Sequence, residues 1–150
     1  MFEKPELKTL KSRLQETRRF IQVVSGPRQV GKTTMVGQLL ENYPLPYHFA
    51  SADAVPSANA TWISQQWETA RFKRKIEQTD EVLLVIDEIQ KIENWAEFVK
   101  AEWDRDTFEK VNVKVLLLGN KWSNIKADIG PLTGRFELID FETEIPATLQ

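Results

Sequence analysis

Phe20-Ile21-Gln22-Val23-Val24-Ser25-Gly26-Pro27-Arg28-Gln29-Val30-Gly31-Lys32-Thr33-Thr34 is the stretch on which the reading of this chain turns. Phe20 to Ser25 is a short apolar run that reads as a buried strand, and it leads straight into a glycine-containing loop. Residues 26–33 match Gly-x-x-x-x-Gly-Lys-Ser/Thr in full. Gly26 and Gly31 permit the backbone conformations that turn successive N–H groups towards one centre. Thr33 to Glu41 reads as a helix with Met35, Val36, Leu39 and Leu40 as its apolar face, stopped by Pro44 and Pro46. The positive end of that helix adds to the loop's N–H groups. Such a loop cradles the phosphates of a nucleoside triphosphate. Lys32 would reach the β- and γ-phosphates, Thr33 would offer its hydroxyl to Mg²⁺, and Thr34 would add a contact to the α-phosphate. The nucleotide-holding set is therefore Gly26, Pro27, Arg28, Gln29, Val30, Gly31, Lys32, Thr33 and Thr34. The side chains of Arg28 and Gln29 are expected to point away from the nucleotide. The bland alternative, a turn with a solvated lysine, is disfavoured because the match lies between a strand and a helix, where the mechanism requires it.

Outward from the loop, strand and helix signals alternate. Pro5 opens a first helix, with Leu7, Leu10 and Leu14 at helical spacing. Tyr47 to Ala50 is a weaker strand signal. Ser51 to Thr61 is small, polar and interrupted by Pro56, so it reads as a loop. Trp62 to Gln78 reads as a helix with Ile63, Trp67 and Ala70 on one face and Arg71, Lys73, Arg74 and Lys75 elsewhere. Val82 to Ile86 is apolar throughout, which means burial on both faces, as at the centre of a parallel sheet. Asn94 and Glu97 stand at capping-box spacing before a helix whose core stripe is Trp95, Phe98, Val99 and Trp103. Val113 to Leu118 is another fully buried strand. Lys121 to Gly130 is a polar connection with room for a short helix, and Phe136 to Phe141 is the last strand. This alternation demands right-handed crossovers and an α/β fold with five parallel strands covered by helices on both faces.

The chain has 150 residues, which argues for one domain spanning 1–150. A net charge of -2 gives no electrostatic footprint for nucleic acid, although a local basic face such as that of Trp62 to Gln78 stays compatible with an acidic partner. A solvated helix face is the plainer reading of those four basic residues. Cysteine is absent, which removes disulfides, thiolate zinc sites and thiol nucleophiles, and a single His48 argues against a histidine metal site. No apolar run approaches the roughly 20 residues that span a bilayer, and Met1 to Arg19 lacks the apolar stretch of a signal peptide. A cytoplasmic protein with no membrane partner is the expectation.

The strand Val82 to Ile86 ends in Asp87-Glu88. Adjacent carboxylates at the mouth of a buried strand are costly unless something uses them. Beside a phosphate loop, the first acid holds Mg²⁺ and the second polarises an attacking water. The alternative is a solvated strand end. An acid placed to act on water favours hydrolysis over transfer to an acceptor, and no arginine-rich acceptor lid is evident. Asn120-Lys121-Trp122-Ser123 resembles the Asn-Lys-x-Asp guanine reader, but Ser123 cannot give the ionised bidentate contact of a carboxylate. Asp87 is followed by Glu88, Ile89 and Gln90, so the Asp-x-x-Gly switch of GTPases is missing as well. ATP is the expected nucleotide. Asn120, after the fourth strand and Gly119, either orients water and senses the γ-phosphate or is an ordinary loop asparagine.

Gly26 to Thr34, Val85-Ile86-Asp87-Glu88-Ile89-Gln90-Lys91-Ile92 with Trp95, and Gly134-Arg135-Phe136-Glu137-Leu138-Ile139 together resemble the prokaryotic AAA-type ATPases of the archaeal-ATPase kind. The resemblance covers roughly Pro5 to Ile139 and implies a three-layer P-loop NTPase fold with sheet order 5-1-4-3-2. It places Asn120 at the polar sensor position. It places Arg135 where relatives set an arginine that touches the γ-phosphate of a neighbouring subunit, which implies a homo-oligomer; the bland alternative is a surface arginine. Relatives continue past the fifth strand into a lid and a C-terminal domain, so the expectation here is a core domain alone. The functional expectation is Mg-dependent ATP hydrolysis, with Lys32, Glu88, Asn120 and Arg135 as catalytic residues and Thr33 and Asp87 as metal ligands. The alternative is an ATP-binding regulatory or interaction module with negligible turnover. A protein or DNA partner is compatible with either. Trp122, in a polar loop, is a candidate partner contact, whereas His48 is expected to be structural.

Overall fold

The computed structural model describes residues 5–26, 32–54 and 59–140. Among the described residues, five helices and five strands follow one another as α1 (Pro5–Gln15), β1 (Ile21–Ser25), α2 (Lys32–Glu41), β2 (Tyr47–Ser51), α3 (Ala60–Glu77), β3 (Val82–Asp87), α4 (Trp95–Glu109), β4 (Val113–Gly119), α5 (Trp122–Lys126) and β5 (Phe136–Asp140). Single 3-10 turns cover Ala52–Ala54, Ile89–Lys91 and Gly130–Leu132.

Every strand pair is parallel and the sheet order is β2-β3-β4-β1-β5, as expected. The apolar runs explain the arrangement. β1 and β4 are buried at every residue and β3 at its first five, so they occupy the middle, while the half-exposed β2 and β5 form the edges. Alternate side chains of β3 enter different cores. Leu83 and Val85 join Leu7, Leu10 and Leu14 of α1 and Met35, Val36 and Leu39 of α2. Val82, Leu84 and Ile86 join Ile63 and Trp67 of α3, Trp95, Val99 and Trp103 of α4, and Ile125 of α5. Crossover handedness accounts for this partition. The step from β1 to β2 runs one way across the sheet and every later step runs the other way, so right-handed connections put α2 on one face and α3, α4 and α5 on the opposite face.

Several local expectations are corrected. Asn94 does not cap α4 with its side chain: it is left-handed, at φ 58, and its carbonyl accepts the Glu97 N–H. The helix follows closely on the turn at Ile89–Lys91, and the Trp95 N–H is already taken by Ile92 O at 3.3 Å. A side-chain cap is found instead on α3, where Asn59 accepts the Trp62 N–H at 3.1 Å and starts the helix at Ala60. Phe98 is 37% exposed and lies outside the core stripe of α4. Trp122 packs against the core and the Phe136 ring. His48, expected to be structural, does make a packing contact: it binds Gln66 of α3, with Nε2 and Oε1 2.8 Å apart.

Arg71 is the main exception to a solvated basic face. It is 9% exposed and bridges α3 to α4. Its Nε donates to Asp106 Oδ1 at 2.9 Å, its Nη1 meets Glu102 at 2.9 Å, and the second Asp106 oxygen accepts the Trp67 indole N–H at 2.9 Å. Burial works against the guanidinium charge, but the bonds to Asp106, Glu102 and Glu68 together hold its pKa above the ordinary value. Asp106→Ala would leave the buried Trp67 N–H without an acceptor and Arg71 without its most buried carboxylate. The expected loss of folding stability is about 3 kcal/mol, read from urea unfolding.

Candidate functional site at the carboxyl edge of the sheet

Parallel strands bring all their carboxyl ends to one edge. In this chain that edge carries Ser25, Ser51, Asp87, Gly119 and Asp140. β4 lies between β1 and β3, so the exit of β1 into the loop and the acidic end of β3 flank the end of β4 at about 10 Å from each other. The connections leaving β1 and β4 go to opposite faces, and the crevice such a reversal opens beyond the strand ends is where open α/β sheets bind ligands.

The exit of β1 is tightly fixed. Ser25 is fully buried, and its hydroxyl donates to Asp140 Oδ1 at 3.0 Å, tying β1 to β5. The Gly26 N–H donates to Gly119 O at 3.2 Å, tying β1 to β4. Gly26 then turns at φ 153, a conformation that L side chains rarely adopt. Pro27, Arg28, Gln29, Val30 and Gly31 lie outside the described residues. Lys32 and Thr33 open α2, and Thr34 follows on its exposed side.

The acidic pair is built into a backbone kink. Asp87 is the last residue of β3 and is partly buried. Glu88 is left-handed, at φ 56 and ψ 41, and its N–H donates to Asp87 Oδ1 at 2.9 Å. A left-handed non-glycine residue costs about 1 kcal/mol, and such strain concentrates at functional sites. The kink turns Glu88 inward, leaving it 3% exposed. Its Oε2 accepts from Gln90 Nε2 at 2.6 Å. Beyond β2, Asp53 forms an ion pair with Lys91 from the turn that follows the acidic pair.

Asn120 directly follows β4, next to the acidic pair, and its Oδ1 accepts from Asn124 Nδ2 at 2.9 Å. The carboxyl edge thus carries Gly26, the start of α2, Asp87, Glu88 and Asn120. Arg135 stands apart from them. It precedes β5 at the amino edge, where its carbonyl accepts the Ile21 N–H, and it forks onto Asp104 of α4 with bonds of 2.8 and 2.9 Å. It belongs to no site with this chain's own acidic pair. Two residues that motif reading left without a role, Gln90 and Gly119, join these groups: Gln90 grips Glu88, and Gly119 anchors Gly26.

An open parallel sheet with a glycine turn after β1, a helix opened by Lys32 and Thr33, and an acidic pair after β3 defines a P-loop NTPase core. Residues 18–143 match the family model described as AAA domain, and the chain belongs to that family. No curated protein matches the sequence. Among solved structures, the chain is similar to one from a study of DNA unwinding at forked double-stranded DNA by two coordinating Pif1 helicases. The TM-score is 0.58 at 14% identity, over 93% of this chain and 43% of that one, a likeness of fold. The chain therefore spans less than half the length of that helicase chain. Among the described residues, no helix is long and apolar enough to cross a membrane.

Proposed function

We propose that the carboxyl edge of the sheet binds ATP with Mg²⁺ and that water cleaves the β–γ phosphoanhydride bond there, giving ADP and inorganic phosphate. The observation that carries this reading is Glu88, a carboxylate kinked inward beside Asp87 at the mouth of a strand buried at its first five residues, one strand from the anchor of the phosphate loop. The oxygen donors fit the ion: Mg²⁺ favours one or two carboxylates with substrate phosphates, and Asp87 with the Thr33 hydroxyl is such a set. The ion supplies positive charge that offsets charge on the transferring phosphoryl group. The residues of the chain do the rest. Gly26 to Thr34 hold the triphosphate, with Lys32 on the β- and γ-phosphates. Glu88 takes a proton from water or orients it, and Asn120 contacts the γ-phosphate.

A second reading, an ATP-binding switch with little turnover, is favoured by one observation. Glu88 is only 3% exposed, so in this reading its carboxylate stays closed to water until a partner opens the site. Arg135 supplied by a second copy is part of this reading, because that arginine faces away from its own crevice. Multi-turnover phosphate release with ATP and Mg²⁺, measured across protein concentration beside ATP and GTP binding, separates the two. Binding without release at any concentration selects the switch. A preference for GTP would sink the assignment of ATP.

A further inference from the structure

We infer that Gln90 is a positioning residue for Glu88, which rests on the hydrolytic reading above and adds a residue to it. Gln90 sits in the 3-10 turn Ile89–Lys91, two residues beyond Glu88. The contact between them is short, 2.6 Å from Nε2 to Oε2, and joins a neutral donor to a carboxylate, the stronger kind of hydrogen bond. The amide has one workable orientation, because only its N–H₂ side can face an acid. The carbonyl side then turns towards β4, where Gln90 Oε1 is buried and has no hydrogen-bond partner. A Cβ on Gly119 would stand 2.2 Å from Ile125 Cδ1 and 3.0 Å from that oxygen, so the glycine makes room first for the Ile125 side chain and, beside it, for the amide.

This wedge explains two costs the site carries. Glu88 adopts a left-handed backbone that takes its carboxylate out of solvent, and Gln90 leaves an acceptor unpaired. A buried carboxylate on a kinked turn needs a fixed donor to hold one rotamer, and Gln90 Nε2 supplies it. The same turn links the acidic pair to the end of β4, whose Gly119 carbonyl holds Gly26 at the start of the phosphate loop. Gln90 thereby sets the direction of Glu88 relative to the loop.

The test uses Gln90→Met, which keeps the volume and removes the donor, and Gln90→Glu, which keeps the shape and sets a second carboxylate there. Each is measured alone and in a Glu88→Gln background. Gln90→Met is expected to lower kcat by about 10- to 100-fold with KM changed less than about 3-fold, the pattern of a displaced catalytic group. In the Glu88→Gln background the same change should lower kcat no further, because the residue it positions is already disabled. A readout independent of turnover is the Gln90 side-chain amide in the nucleotide-free chain by ¹⁵N NMR. One amide proton should lie downfield of the other glutamines and move back in Glu88→Ala. Unchanged kcat in Gln90→Met and Gln90→Glu, an equal fall in both backgrounds, or an amide signal indifferent to Glu88 would overturn the role. If the wild-type chain releases no phosphate, hydrolysis fails and the positioning role falls with it. Wild-type turnover with an indifferent Gln90 removes the positioning role alone.

Discussion

Glu88→Gln is expected to lower kcat for ATP hydrolysis by about 10²- to 10⁴-fold, the usual contribution of a positioned general base, while ATP affinity stays within a few-fold of wild type. The separation follows from the structure. Glutamine has the shape of glutamate, its Oε1 can still accept from Gln90 Nε2, and the left-handed turn at residue 88 is a backbone feature the substitution leaves alone. Asp87 keeps its place, because the bond its Oδ1 receives comes from the main chain of residue 88. Phosphate release and fluorescent-ATP binding on the same sample check both halves. Intact hydrolysis with intact binding would remove Glu88 from the chemistry.

Lys32→Ala is expected to act on the other half of the site. Removing a cation that bonds the phosphates should weaken ATP binding by about 10- to 150-fold, the equivalent of one charge-assisted hydrogen bond. The melting temperature of the nucleotide-free chain should barely move, since alanine at the start of α2 is a good helix former. Isothermal titration with ATP and Mg²⁺ gives the affinity and a thermal scan gives the control. Undiminished affinity would sink the phosphate-loop reading itself.

The sheet was legible because its signal is nearly continuous apolarity, broken in its central strands β3 and β4 only by Lys114 before the closing Asp87 and Gly119. Val82 to Ile86 and Val113 to Leu118 can be buried on both faces only in the middle of a parallel sheet, and β3 and β4 are adjacent there. Strand order needed more than periodicity; it came from the motif wording and holds in full. Single side chains were harder. The Asn94 and Glu97 spacing fits a capping box, but the tight approach from the turn at Ile89–Lys91 put Asn94 in the left-handed region and its carbonyl took the bond instead. Arg71 looked like one member of a basic face until the parallel packing of α3 and α4 brought Asp106 and Glu102 to it. Phe98 shows the opposite error, an aromatic at core spacing on a helix whose buried stripe is narrower than the pattern.

Within the site, Asp87, Glu88 and Asn120 could be placed from the sequence because each follows a strand end, and strand ends share an edge. Gln90 could not, because its contact depends on the kink at Glu88, and no spacing rule encodes a left-handed glutamate. The edge occupied by Arg135 was readable in principle, since it precedes its strand and therefore faces away from the loop. Its partner Asp104 lies 31 positions earlier in the chain and emerged only from the packing of α4 against the turn at Gly130–Leu132 that precedes Arg135.

That fork has a consequence for assembly. A neighbouring molecule that recruits Arg135 must first compete with Asp104, whose carboxylate meets the guanidinium with both oxygens. Any contact between copies through this residue would therefore begin with an exchange of partners, and an isolated chain keeps its arginine on Asp104. Self-association through that residue would show a threshold in protein concentration, and Asp104→Asn would move the threshold downward.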